Sequence, residues 1–151
     1  MEKAFWKGKK VFITGASGIL GSGLTSRLVK EGAIVTILLR DYVPESELFK
    51  SNTASCINIV RGELEDFELL LRALNEYEID AVFHLAAQTI VPTATRNPLS
   101  TFNSNIKGTW NILEASRLLG IKRIVVASTD KAYGTQSKLP YTEDMELKGI
   151  F

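Results

Sequence analysis

Three glycines at a regular spacing carry the clearest chemical signal in the chain. The apolar run Val11-Phe12-Ile13-Thr14 ends in Gly15, and Gly18 and Gly21 follow at intervals of three. Gly15 suits a tight turn out of a strand. Gly18, flanked by Ser17 and Ile19, leaves the backbone bare, so a large anion can reach the main chain. Gly21 lets the following helix sit close to the sheet. Amides that open a helix at Ile19 have no intrahelical partners, and the helix dipole adds partial positive charge there. A diphosphate satisfies both. The interval differs from the two-and-three spacing of the usual fingerprint. Its context of strand, turn and helix is nevertheless the one that fingerprint demands. The segment predicts a dinucleotide site.

The end of the second strand, Leu38-Leu39-Arg40-Asp41, bears on which dinucleotide binds. An acid there accepts the ribose hydroxyls of NAD, whereas an arginine holds the extra phosphate of NADP. Asp41 serves the first and Arg40 the second. If the strand register puts Leu39 in the acid's usual place, Arg40 tips the expectation towards NADP. The alternative is a pair of solvated loop charges.

A second polar group, Thr129-Asp130-Lys131, follows the fifth apolar run. In a doubly wound sheet the carboxyl ends of the strands face the ligand. As residue types alone, these three are a turn hydroxyl and an exposed ion pair. His84 lies inside a buried strand run and reads as a core residue. One histidine, one cysteine and unclustered carboxylates predict no metal site.

The elements that position these residues alternate along the chain. Strands are expected at 11–14, 34–39, 57–60, 81–85 and 123–127. Helices are expected at 19–31, 65–77 and 99–119, with Gly32 and Gly120 as stops. Phe67, Leu70, Leu71 and Leu74 recur at helical spacing. Phe102 and Trp110 are expected on the packing face of the long helix. Near-continuous apolar strands between helices predict a parallel sheet covered on both faces, an α/β doubly wound Rossmann fold. Residues 133–151 read as a polar loop, with no helix after strand five. One domain is expected over 1–151, incomplete and truncated after that strand, with a C-terminal substrate domain absent.

Composition excludes other classes. The apolar fraction of 45% and charged fraction of 23% are those of an ordinary globular chain. Eighteen basic and 17 acidic residues leave no basic excess for nucleic acid. The first apolar run is too short for a signal peptide or a membrane span. The single Cys56 makes a cytoplasmic location the default.

The motifs together resemble the extended short-chain dehydrogenase/reductase family, within it the nucleotide-sugar 4,6-dehydratases of the CDP-glucose type. Phe5-Trp6-Lys7-Gly8-Lys9-Lys10 resembles the subgroup's opening, and Thr14-Gly15, Gly18 and Gly21 its glycine motif. His84-Leu85-Ala86-Ala87-Gln88 matches the segment after strand four, Asn105-Ile106-Lys107-Gly108-Thr109 a motif on the long helix, and Ser128 to Gly134 the catalytic segment. The resemblance implies that Leu85, Ala86 and Ala87 line the cofactor site. It implies that Glu63 and Leu64 stand where the family's adenine-binding pair stands. Asn105 is expected to bond backbone near the active site, and Gln88 to reach cofactor or substrate; the alternatives are solvent-facing amides.

The resemblance also implies chemistry. Thr129 would bond the sugar oxygen that loses its proton, and Asp130 would protonate the hydroxyl leaving carbon 6. That role calls for burial to keep the carboxyl protonated. Lys131 stands where related dehydratases have a glutamate base; it acts as a base only if desolvated, or else orients Asp130. The family's Tyr-x-x-x-Lys pair does not occur in the chain. Three readings follow: part of a dehydratase, part of a 4-epimerase, or a non-catalytic dinucleotide-binding module. The chain itself is expected to be inactive. It is also expected to show apolar surface where a further helix would cover strand five and the long helix; in the family that helix and the long helix build the homodimer interface.

Overall fold

The computed structural model describes residues 5–149. Five parallel strands form one sheet in the order β3-β2-β1-β4-β5. They are β1 (Lys10–Thr14), β2 (Ile34–Leu39), β3 (Asn58–Arg61), β4 (Ala81–His84) and β5 (Arg123–Val126). Chain order reverses between β1 and β4, the switch point at which such sheets open a crevice. The ladder pairs Thr14 with Leu38 on one side and His84 on the other. The ends of β1, β2 and β4 therefore lie level.

Strand period decides which core each side chain joins. Phe12, Leu38, Val60 and Val82 point to one face, where Leu70, Leu74, Ile112 and Ala115 cover them. Val11, Ile13, Val35, Ile37 and Leu39 point to the other, beneath Leu28 and Leu48. The first layer is α3 (Phe67–Glu76) and α6 (Gly108–Leu118); the second is α1 (Ile19–Lys30) and α2 (Glu47–Lys50). Both faces are covered, as the apolar strands predict.

Helix ends follow local chemistry. Gly32 and Gly120 take φ of +83° and +69°, and the next amides reach back to Leu28 and Ser116. These are the left-handed stops expected of glycine. The third helix starts at Phe67, later than the expected 65, because the Asp66 carboxylate accepts the Leu69 amide and caps it.

The expected long helix over 99–119 is not one regular helix. It runs as α5 (Pro98–Phe102), a π turn (Asn103–Lys107) and α6, and a short α4 (Val91–Arg96) precedes it. The buried stripe of α6 is Gly108, Asn111, Ile112 and Ala115. Trp110 falls outside that stripe and, like Phe102, is 57% exposed. The expectation that these two aromatics pack inward is therefore corrected. A helix packs at i, i+3, i+4 and i+7, and the π turn's extra residue shifts which side chains hold those places. Val125 and Val126 of β5 and Leu113 of α6 are also exposed. This is the apolar surface that the sequence leads one to expect on those elements.

Candidate dinucleotide site

The turn between β1 and α1 is shaped by backbone crowding. Gly15 has φ of +76°, and a Cβ there would lie 2.7 Å from the Ala86 nitrogen. A Cβ on Gly21 would overlap the Gly15 carbonyl and the Ala16 backbone. The tightest limit on Gly21 is thus the turn itself. Gly18 is different. Its backbone is extended, and a Cβ would meet only the Gly15 oxygen, at 3.3 Å.

Gly18 caps α1 without a side-chain bond, and the first turn carries no acid. The Ser22 amide closes on the Gly18 carbonyl. The amides of Ile19, Leu20 and Gly21 precede that first helical bond and find no acceptor among the described residues. Three open donors at a positive helix end suit an anion. Ser46 supports the turn from outside, donating its hydroxyl to the Ser17 carbonyl at 2.7 Å.

These groups border a cavity of about 570 Å³. Gly15, Ser17, Gly18, Ile19 and Gly21 form one wall. Arg40 and Asp41 stand at the end of β2, and Leu85, Ala86, Ala87 and Gln88 at the end of β4. Leu64 lines it too. Glu63 does not; it is exposed, and Glu65 borders the cavity instead. Leu64 turns inward against Gly108, which aims its neighbour the other way. Asn105 is outside the lining but holds it from behind through Gln88. Sequence reasoning missed Thr14, Glu65 and Ser104. Glu65 accepts the Ser104 hydroxyl at 2.7 Å, and only the fold brings the two together.

Arg40 and Asp41 pair with each other, Nε to Oδ2 at 2.6 Å. Leu39 is buried at the strand end and offers no acceptor. Thr129, Asp130 and Lys131 lie beyond β5 at the same edge of the sheet, outside the cavity lining, although Ala127 reaches it. Thr129 caps a short turn through its hydroxyl, which accepts the Lys131 amide. Lys131 Nζ is 3.6 Å from Asp130 Oδ2, with the side chains 66% and 58% exposed. The burial expected around Asp130 is absent here, because β5 is an edge strand and nothing among the described residues covers the turn after it.

His84 is where its strand run places it, 3% exposed, between the hydroxyls of Thr14 and Thr109. Burial holds its pKa below the usual imidazole value. Among the described residues no cluster of three or more His, Cys, Asp or Glu gathers to hold a metal. No helix among them is long and apolar enough to cross a membrane.

A parallel sheet in this order, with a glycine turn at its switch point, defines a Rossmann-type dinucleotide fold. The chain belongs to the epimerase/dehydratase family: a family model described as GDP-mannose 4,6 dehydratase matches residues 12–150. It is 36% identical over 135 residues to a CDP-glucose 4,6-dehydratase of Salmonella typhimurium, covering 88% of this chain and 38% of that protein. It superposes on the epimerase Mth375 of Methanothermobacter thermautotrophicus with a TM-score of 0.81 and 36% identity, over 97% of this chain and 44% of that one. It also superposes on a UDP-glucose-4-epimerase of Stenotrophomonas maltophila solved with bound NAD and formylated UDP-arabinopyranose. There the TM-score is 0.80 and the identity 28%, over 94% and 43% of the two chains. The chain thus spans less than half the length of each of these three.

Proposed function

We propose that this chain is the dinucleotide-binding part of a nucleotide-sugar 4,6-dehydratase. The observation that carries the proposal is the row of open amides at Ile19, Leu20 and Gly21, set on a cavity whose other walls are the ends of β2 and β4. The residues fit a dinucleotide. The glycine turn receives its diphosphate, Leu64 and Glu65 face the base, and Arg40 and Asp41 face the ribose. When bound, the nicotinamide supplies the hydride acceptor and donor that such a dehydration needs.

The nucleotide preference rests on Arg40. Its Nε is taken by Asp41, while its two terminal nitrogens make no hydrogen bond among the described residues. They suit the extra phosphate of NADP, and Leu39 gives NAD's ribose no acceptor. The relative solved with NAD supports binding of the unphosphorylated form as well.

Thr129 bonds the sugar's 4-oxygen, and Asp130 gives its proton to the hydroxyl leaving carbon 6. Lys131 orients Asp130, as their pairing supports. Covering by substrate supplies the desolvation that Asp130 lacks in the free chain. The product is a 4-keto-6-deoxy sugar nucleotide. A 4-epimerase is the second reading, favoured by the UDP-glucose 4-epimerases among the relatives.

Calorimetric titration with NADP+ and NAD+ tests the site. Tighter binding of NADP+ than of NAD+, with the preference reversed in Arg40→Ala, is expected. No heat with either nucleotide overturns the reading. In an active enzyme carrying this segment, a product lacking one water separates dehydratase from epimerase.

A further inference from the structure

The chain's single histidine is wired so completely that its protonation state can be read from its neighbours. The Thr109 hydroxyl lies 2.7 Å from the Asn105 carbonyl, which only accepts, so its hydrogen is spent there. Toward His84 Nε2, 3.0 Å away, Thr109 Oγ1 offers lone pairs alone. Nε2 therefore carries a hydrogen. On the other side, Thr14 Oγ1 accepts the Ala86 amide at 3.2 Å and sits 2.7 Å from His84 Nδ1. The Thr14 hydrogen has its acceptor in Nδ1. The result is one directed chain, from the Ala86 amide through Thr14, His84 and Thr109 to the Asn105 carbonyl.

That chain joins three pieces of the cavity's frame: the end of β1 just before Gly15, the β4 end that passes over it, and the π turn. A second proton, on Nδ1, would displace the Thr14 hydrogen. It would leave a fully buried hydroxyl without an acceptor and a charge in the core. The facing groups are the two threonine hydroxyls, and the ladder neighbour on β5 is Val126. Burial is the cause of the lowered pKa, with no charged side chain contributing.

We propose that His84 is a positioning residue, a neutral imidazole protonated at Nε2 alone, which sets Thr14 to hold Ala86 against the glycine turn and so keeps the cavity open for a dinucleotide. The proposal rests on the dinucleotide reading above. It predicts that proton uptake by this imidazole weakens the dinucleotide.

The test uses the full chain with 15N-labelled histidine, which gives one imidazole to observe. The Nε2–H tautomer is expected at neutral pH, with titration below the ordinary histidine range. NADP+ affinity should fall as the imidazole protonates. Thr14→Val and Thr109→Val should each weaken NADP+ by about tenfold, a lost buried bond, and Thr14→Ser should restore it. An Nδ1–H tautomer, titration at the ordinary value, or folded valine variants that bind like the parent overturns the proposal. If Thr14→Val fails to fold, Thr109→Val and the parent's tautomer still decide it. A parent that binds neither NADP+ nor NAD+ overturns the dinucleotide reading and this role with it, whereas intact binding with unaffected variants overturns the role of His84 alone.

Discussion

The side-chain amide of Asn105 clasps the backbone of Gln88 at both ends: Oδ1 accepts the Gln88 amide at 2.7 Å, and Nδ2 donates to the Gln88 carbonyl at 3.1 Å. A strand would pair this way with its neighbour, yet here one side chain from a π turn stands in for a strand. The loop leaving β4 is thereby fixed where it borders the cavity. Asn105→Asp keeps the acceptor but sets a carboxylate against a carbonyl. Asn105→Ala leaves both groups of Gln88 unpaired. Each variant should lose about 1–3 kcal/mol by urea denaturation, and Asp should be no milder than Ala at neutral pH.

Gly21 and Gly15 make a steric prediction. A methyl on Gly21 meets backbone at the Gly15 carbonyl, which cannot rotate aside as a side chain would. Gly21→Ala should destabilise by about 3 kcal/mol or more, at the upper end of overpacking costs. Gly23, two positions further along the same helix, meets nothing within 4 Å. Gly23→Ala should be neutral or stabilising by up to about 1 kcal/mol. Thermal melts of the two variants give the comparison.

His84 also predicts how stability depends on pH. Its folded pKa lies below the ordinary 6.5 because burial disfavours the charged form. The unfolded chain therefore takes up the proton first. This contribution to stability is fully present above the ordinary value. It declines as pH falls below that value and is lost once pH passes the folded pKa. One group sets a slope of at most about 1.4 kcal/mol per pH unit. A His84→Gln variant should lack that component, so the difference between the two stability–pH curves isolates it.

Asp130 and Lys131 separate the two enzyme readings. In an active enzyme carrying this segment, Asp130→Asn should lower the rate of water loss by about 10²–10⁴-fold, the range for one acid–base group. Its hydride transfer to cofactor should be less affected. Lys131→Met should shift the pH profile of elimination more than the affinity for sugar nucleotide. Equal loss of both partial reactions in Asp130→Asn would instead indicate that the turn as a whole had moved.

Much of the fold is legible in the residues, because the strands and the stops depend on local chemistry. Apolar β-branched runs mark all five strands to within a residue, and Gly32 and Gly120 end helices by their positive φ. The glycine turn is equally local. The π turn is not: it answers to Gln88 and Glu65, distant in sequence. Phe102 and Trp110 were misplaced for that reason. Glu63 was chosen over Glu65 because resemblance aligns positions, whereas the inward turn of Leu64 decides which carboxylate borders the cavity. His84 reads as a core residue from its strand run, but its two threonine partners appear only when β1, β4 and α6 are brought together.

Gly18 provides the most direct measurement. Its extended backbone admits a side chain, and a methyl would crowd only the Gly15 oxygen, at 3.3 Å, so Gly18→Ala should fold with a loss of about 1–2 kcal/mol. The added carbon would stand where a diphosphate meets the amides of Ile19, Leu20 and Gly21. Calorimetry should show NADP+ and NAD+ binding to the parent, with affinity falling by at least about tenfold in the folded variant, the cost of one lost charge-assisted hydrogen bond. A folded Gly18→Ala chain that binds either nucleotide as tightly as the parent would contradict the assignment of this turn as the diphosphate site.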